Sequence, residues 1–563
     1  LAVEIGSTSL RLSEEAPVKR VALILAAVAL TVVGQFAAVA TTSKSGGTVA
    51  AAPGYSISYQ DGETVLTIGF YANVTSIDPA TACSTEDAKI TTQLYDRLVG
   101  YATKTLEDGT VAKDDQTIAP RLAQSWDISE DGKTYTFHLT PDVKFPSGAP
   151  VDADAVAYSF NRILTMKQCG LYSFSAGLSG NILSVTAVDP LTVQVQLNES
   201  DPIFLNAMAK SGAGIVDKTL VEANGGVVAE QKNEWMNTNS AGSGPYIVEK
   251  FAPSEEIQMR ANETYRGGKP YFDRVIWKII TDPANRVLLT ERGDLQLTYN
   301  IPFRDQLRLA ENDDLKIVRQ PGLKITFVGL NNGIEPFNNP LVRQALSYAV
   351  PYDAIIEQVT SGLALPMKSI IPPLMADHDP SFFDKSTDLE KAKQLLAEAG
   401  LPDGFTFTLD IQSGSQEFDD IAVILQDQFR QIGVTMEIRK SDLAKYYEFV
   451  RGGQSQAYLI ARTTGINDPG YFLGYMLPCG STFAYSAYCN EQVDVLLGQA
   501  RHEVDAAKRK ELYAQIQQLV VADAPDLWLY VNPDAMVMAK NVEGLIYDTT
   551  LQEELVNLTE AAG

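Results

Sequence analysis

Apolar and polar residues alternate at Tyr135-Phe137-Leu139 and again, without a break, at Leu191-Val193-Val195-Leu197, the period of half-buried strands. Between them Asp152 and Asp154 stand ahead of Val156 and Phe160 at helical spacing, which predicts an Asp-capped helix. The second half interleaves the two periods. Thr387 and Glu390 have capping-box spacing, Leu395 and Leu396 sit on the helix that follows, and Gly400-Leu401-Pro402 ends it. Phe405, Phe407, Leu409 and Ile411 alternate as a strand. Phe418, Ile421, Leu425 and Phe429 recur at helical spacing up to Gly433, and Val434, Met436 and Ile438 form another strand. Strand–helix–strand predicts a right-handed parallel crossover. Leu512, Ile516 and Leu519 share one helical face and lead to a strand at Leu527 to Val531. The fold class is therefore α/β, and the apolar stripes are core positions. A chain of 563 residues exceeds one ordinary core, so two or more domains are expected, and no internal repeat is present.

The N-terminal segment has another character. Lys19 and Arg20 precede an uncharged apolar run, Val21 to Val33, and Ala38-Val39-Ala40 follows as a small-residue cleavage site. That order predicts a secretory signal peptide over residues 1–40. Val21 to Ala40 is also long enough for a bilayer core of about 30 Å if Gln35 is tolerated, but the position of the cleavage site favours removal. Residues 41–61 read as a linker, small-residue-rich from Ser43 to Gly54. No cysteine lies near the cleavage site, so a lipoprotein anchor is not indicated.

The net charge of −25 arises from 45 basic and 70 acidic residues. It survives cleavage, because the segment to Ala40 carries Arg11, Lys19 and Arg20 against Glu4, Glu14 and Glu15. Such a surface repels nucleic acid and anionic lipid and says nothing about the charge of a ligand. The cysteines, Cys83, Cys169, Cys479 and Cys489, match no zinc spacing, and His138, His378 and His502 lie far from them. In an oxidising compartment four cysteines suggest two disulfides among three possible pairings. The short separation favours Cys479–Cys489, which leaves Cys83–Cys169.

Catalytic motifs are scarce. There is no phosphate-binding G-x-x-x-x-G-K-[ST] loop, no G-x-S-x-G elbow and no H-E-x-x-H. Three histidines are a poor supply of bases and metal ligands, so no cofactor or metal is expected. With 70 acids a chance carboxylate pair is expected, which keeps a secreted hydrolase as the alternative of another class.

The most specific pattern runs from Trp235 to Val275. Gly242-Ser-Gly-Pro-Tyr246 opens a strand-like run, and Asn262-x-x-Tyr-x-Gly-Gly-Lys-Pro270 leads into a second, Val275 to Ile280. This resembles the family 5 extracellular solute-binding proteins, the peptide- and nickel-binding receptors of ABC importers, whose signature reads GTGPY…N-x-x-Y-W-x-G-K-P…D-x-V. Ala155 to Arg162 (AVAYSFNR), Phe337 to Ala349, Pro372-Pro373 and Ala392 to Gly400 match further elements. The resemblance extends over nearly all of Gly62 to Val556. It implies a two-lobed clamp with an extra subdomain and two hinge strands. It divides the chain into lobe I (62–97, 204–322 and 528–563), the extra subdomain (98–203) and lobe II (323–527), with crossings near Gly322 to Phe327 and Asp526 to Asn532. It implies an exported monomer, periplasmic or at the cell surface, that does no chemistry. Such a receptor captures a peptide or peptide-like solute and hands it to membrane permease subunits. An oligosaccharide- or opine-like solute is the alternative within the family. A nickel chelate is also open, although histidines are few.

The resemblance also places the pocket. Ser76-Ile-Asp-Pro79 precedes a ligand-facing loop, with Tyr71, Thr85 and Glu86 as candidates. The second segment, Arg462 to Leu473, offers Arg462, Thr464, Gly465, Asn467, Asp468 and Tyr471, with Tyr475, Tyr485 and Tyr488 nearby in sequence. Peptide receptors of the family read Trp-x-x-Asp-x-x-[DE]-Pro-x-x-Phe here, and that Asp pairs with the peptide's α-amino group. In this chain Arg462 replaces the Trp and Gly465 the Asp. A buried ammonium without a carboxylate is costly, so either Glu86 or Asp468 substitutes or the ligand lacks a free amine. Arg462 can present a bidentate donor to a carboxylate or phosphate, or serve a structural salt bridge. Asp468 can equally be a turn or helix cap, and each tyrosine a partly buried wall residue.

Overall fold

The structure, a computed structural model, describes residues 62–561 other than 176, 178, 179, 385 and 482. The signal segment 1–40 and the linker 41–61 lie outside the described residues. Two long strands organise the rest. Leu315–Leu330 and Asp526–Ala539 pair antiparallel from Leu315↔Ala539 to Gly329↔Asp526, with a register break between Pro321 and Lys324. On one side of the break, Leu297–Tyr299 adds to the second long strand. Val65–Phe70 and Arg274–Ile279 follow in parallel, and Glu256–Ala261 and Tyr246–Ala252 complete that half. On the other side, Ile325 to Leu330 pair with Ala457–Arg462, which joins the parallel strands Thr406–Gln412 and Thr435–Ser441. One sheet of eleven strands is thus two half-sheets sharing two strands.

Each half has its own core. Leu66, Ile68, Trp277 and Met538 fill the first, and Leu346, Leu409, Leu425 and Phe472 belong to the cores on the faces of the second. That is a two-lobed fold joined by two strands. At the join, a Cβ on Gly322 would sit 1.8 Å from the Asp534 Oδ2, so any longer residue there requires that carboxylate to move, while the facing backbone stays at 3.4 Å.

A third core belongs to a four-stranded antiparallel sheet, ordered Ala123–Ile128, Thr134–Leu139, Thr192–Leu197, Ile182–Asp189, with the helix Ala153–Met166 against it. Tyr135, Phe137, Leu139, Val193, Val195 and Leu197 are buried, as their alternation predicts, while Leu191 lies in the turn before its strand and is exposed. Asp152 caps the helix by accepting the Ala155 N–H. The parallel crossover is also present, with Gln416–Arg430 between the two parallel strands and Phe418, Ile421, Leu425 and Phe429 buried.

Two expectations shift by a residue. Asp388, not Thr387, caps the helix Leu389–Glu398, because a carboxylate is the better acceptor beside helix N–H groups; the Thr387 hydroxyl donates to the Val350 carbonyl instead. On Ala506–Asp523 the buried line is Tyr513, Ile516, Gln517 and Val520, with Leu512 and Leu519 at its margin. Gln517 is fully buried and satisfied by the Ser369 hydroxyl, the Asp379 N–H and the Asp377 carbonyl.

Both cysteine pairs, Cys83–Cys169 and Cys479–Cys489, are joined. The second closes a separation of 10 residues, and the loop entropy it removes from the unfolded chain is worth about 2–3 kcal/mol. Replacing both Cys479 and Cys489 by serine should lower the urea midpoint accordingly; an unchanged midpoint would show that the bridge does not stabilise the fold. Among the described residues no helix is long and apolar enough to cross a membrane.

Candidate functional site

Tyr71 follows the strand Val65–Phe70, and Thr85 and Glu86 begin the helix Thr85–Leu94, whose Ser84 and Asp87 form a capping box. The intervening loop is tied down at both ends. Asp87 accepts N–H bonds from Thr75 and Ser76, and Asp78 takes Arg162 in two bonds of 2.7 and 2.5 Å. Glu86 is therefore presented from a rigid frame. It accepts the Tyr71 hydroxyl, and among the described residues it has no cationic partner. Burial first, and then the Glu86 charge, raise the Tyr71 phenol well above its ordinary value.

The other lobe supplies Arg462, the last residue of its strand, opposite Ile325. Its guanidinium lies 4.3 Å from the centroid of the Tyr485 ring, and its Nη1 reaches the Met476 sulfur at 3.1 Å. It has no carboxylate partner among the described residues, so the structural salt bridge is not what this side chain makes. The neighbouring Tyr475 hydroxyl is buried without a hydrogen-bond partner among the described residues, and burial raises its phenol to about 12. A half-buried cation and a hydroxyl without a partner among the described residues thus lie side by side.

The remaining candidates divide. Asp468 accepts the Gly470 and Tyr471 N–H groups at the start of the helix Pro469–Met476, and Arg509 holds both its oxygens at 2.8 and 2.7 Å. Its charge is spent within the fold, as a helix cap and ion pair. Asn467 donates to Asp115 across to the extra subdomain at 2.8 Å, and Thr549 donates to the same oxygen. The Asn467 Oδ1 is buried and has no partner among the described residues. Thr464 is buried and donates to the Ile466 carbonyl. Ile466 and Tyr471 pack into the core of the extra subdomain, Tyr471 at 5.5 Å from Tyr172. A Cβ on Gly465 would come within 3.2 Å of the Tyr471 hydroxyl, so a longer side chain there requires that ring to give way. Tyr488 is turned away, donating to Asp523.

Further contacts join this lobe to the extra subdomain. Arg501 meets the buried Asp201 at 3.0 Å, and the His502 Nδ1 lies 2.9 Å from the Ser200 carbonyl. Sequence reasoning missed the helix Leu443–Arg451, which carries Tyr447 and Arg451 one turn apart. Tyr447 lies within electrostatic range of Glu86 on one wall and of Arg462 and Tyr485 on the other. The signal for it was an aromatic and an arginine spaced i, i+4 on an otherwise amphipathic helix.

Asp526, opposite Gly329 on the long strand, is buried with its Oδ1 unpartnered among the described residues, and burial raises it to about 7 against the opposing pull of Arg462 and Arg343. The folded state thus keeps a proton that the unfolded chain has lost, so stability falls as pH rises from the ordinary carboxylate range to about 7 and is flat above it. Asp526→Asn should exceed wild type in urea midpoint at pH 8, with the gain shrinking at pH 5. An equal difference at both pH values would contradict the assignment.

A separate cavity of about 350 Å³ is lined by Lys113, Arg121, Arg266 and Glu554 among others, but its cations are already matched. Arg121 pairs with Glu554 at 2.7 Å, Lys113 with Asp548 at 2.8 Å and Arg266 with Asp96 at 3.3 Å. It is an internal ion network. Among the described residues no group of His, Cys, Asp and Glu is placed to hold a metal ion.

Residues 117–483 match the family described as bacterial extracellular solute-binding proteins, family 5 Middle. The dipeptide-binding protein of Escherichia coli (strain K12) is 30% identical over 500 residues, 85% of this chain and 91% of the relative. The probable D,D-dipeptide-binding periplasmic protein DdpA of the same strain is 29% identical over 493 residues, 87% of this chain and 92% of the relative. The structure is similar to that of the periplasmic binding protein DppA from Helicobacter pylori in complex with the peptide STSA. Their TM-score is 0.77 at 26% identity, covering 89% of this chain and 99% of that one.

Proposed function

The chain belongs to the bacterial extracellular solute-binding proteins of family 5, and from that premise we propose that it is the exported receptor of an ABC importer for peptide-like zwitterions. The receptor takes the solute between its lobes in the periplasm or at the cell surface and delivers it to membrane permease subunits. It holds and releases the solute without turnover. One observation carries the choice of ligand: Glu86 on one wall and Arg462 on the other are a carboxylate and a guanidinium that form no ion pair among the described residues. Glu86 takes over the α-amine from the aspartate that Gly465 replaces, since Asp468 is occupied by Arg509. Arg462 receives the carboxylate. The names of the dipeptide-binding relatives agree with such a solute.

A thermal-shift screen tests this reading, because a ligand that binds only the folded state stabilises it by about 2.7 kcal/mol at a hundred times its dissociation constant. Unmodified short peptides should raise the melting temperature, and neutral oligosaccharides should not. Stabilisation by a sugar alone, or steady product formation from a peptide or glycan, would overturn it.

A further inference from the structure

Beside Arg462 the chain has built a run of alternating rings and cations that the zwitterion does not use. The Arg451 guanidinium lies 4.5 Å from the centroid of the Tyr447 ring, and its Nε donates to the Tyr485 hydroxyl at 3.2 Å. The same Tyr485 ring carries Arg462. Like Arg462, Arg451 has no carboxylate partner among the described residues. Carboxylates are not scarce in a chain with 70 of them, and two other arginines of this lobe have theirs: Arg439 holds Asp410, and Arg509 holds Asp468. Two arginines that share one tyrosine and lack an anion are set apart from that pattern.

Next to them a groove of about 590 Å³ runs along the helix Leu443–Arg451, lined by Leu443, Ala444, Tyr447, Glu448 and Arg451. The one carboxylate in its lining, Glu448, is drawn to Lys445, 3.2 Å from each oxygen, so Arg451 is the groove's uncompensated charge. The Tyr447 ring holds the guanidinium 4.5 Å from its centroid while only the Nε is used by Tyr485, which leaves guanidinium N–H groups to meet a planar carboxylate.

We infer that this groove is a second anion-binding subsite continuous with the cleft, and that the receptor prefers peptide-like solutes bearing a carboxylate side chain in addition to the terminal carboxylate. The inference rests on the receptor reading above and names its substrate class. Arg462 takes the main-chain carboxylate, Tyr485 separates the two cations, and Arg451 takes the acidic side chain. Leu443 and the Tyr447 ring supply the apolar wall for its methylenes.

Calorimetric titration of Ala-Glu and its neutral isostere Ala-Gln distinguishes the outcomes. Wild type should bind Ala-Glu at least about tenfold more tightly, the scale of one charge-assisted pair at a partly exposed site. In Arg451→Gln, an exposed position whose replacement leaves the core untouched, the preference should fall below about threefold. Equal binding of the two peptides by wild type, or an undiminished preference in Arg451→Gln, overturns this inference and leaves the receptor reading standing. Binding of neither peptide overturns both.

Discussion

Arg462→Ala is expected to weaken binding of an unmodified dipeptide by about 30-fold or more, the loss that follows when one member of a hydrogen-bonded charge pair in a desolvated site is removed. The guanidinium is held by the Tyr485 ring and a thioether rather than by an ion pair, and the buried Asp526 that its charge favours keeps its proton up to about pH 7, so below that pH its removal leaves no structural anion unpaired. Stability should therefore change little while affinity collapses. Arg462→Lys should recover only part of the binding, because an ammonium keeps the charge but loses the planar fork. Calorimetry on the two variants checks both statements. A loss below about threefold in the alanine variant would show that the ligand's anion lies elsewhere.

The second large effect is on folding. Asp78 and Arg162 are both at most 1% exposed and meet through two hydrogen bonds. Removing one member strands the other in the core, at a cost of about 3–5 kcal/mol. Asp78→Ala should show this as a lowered urea midpoint. Pairing it with Arg162→Met should recover much of the loss, since an apolar replacement of a buried pair is often close to neutral. The consequence reaches the site. Asp78 anchors the loop that leads into the Glu86 helix to the extra subdomain, so the single variant should also bind ligand more weakly. A midpoint shift worth less than about 1 kcal/mol would mean that the site relaxes or admits water.

The sequence was most legible where one period dominates. The crossover through Phe407, Phe418 and Met436 follows from a switch between periods of 2 and 3.6, and the structure has it. The long strand Asp526–Ala539 was legible only as far as Val531, because Asn532-Pro533-Asp534 carries the composition of a turn. The strand continues through Pro533, which is paired with Pro321 at the register break, a place where proline is tolerated in a strand. Leu191, Thr387 and Leu512 were each misplaced by about one position, the usual uncertainty of an element's edge.

At the site, the departure at Arg462 and Gly465 was visible in the motif itself. Which carboxylate remained available was not. Asp468 is claimed by Arg509, which stands 41 residues further on, and no local pattern reports such a pairing. Arg451 escaped notice for the same reason, since its meaning depends on Tyr485, 34 residues away on another segment.

The account turns on a ligand held at both ends, by Glu86 and by Arg462. Titration of the mature protein with dialanine, N-acetyl-dialanine and dialanine amide tests that claim most directly. The free peptide should bind, and each blocked form, having lost one charge, should bind at least about tenfold more weakly. Equal affinity for all three would contradict the account.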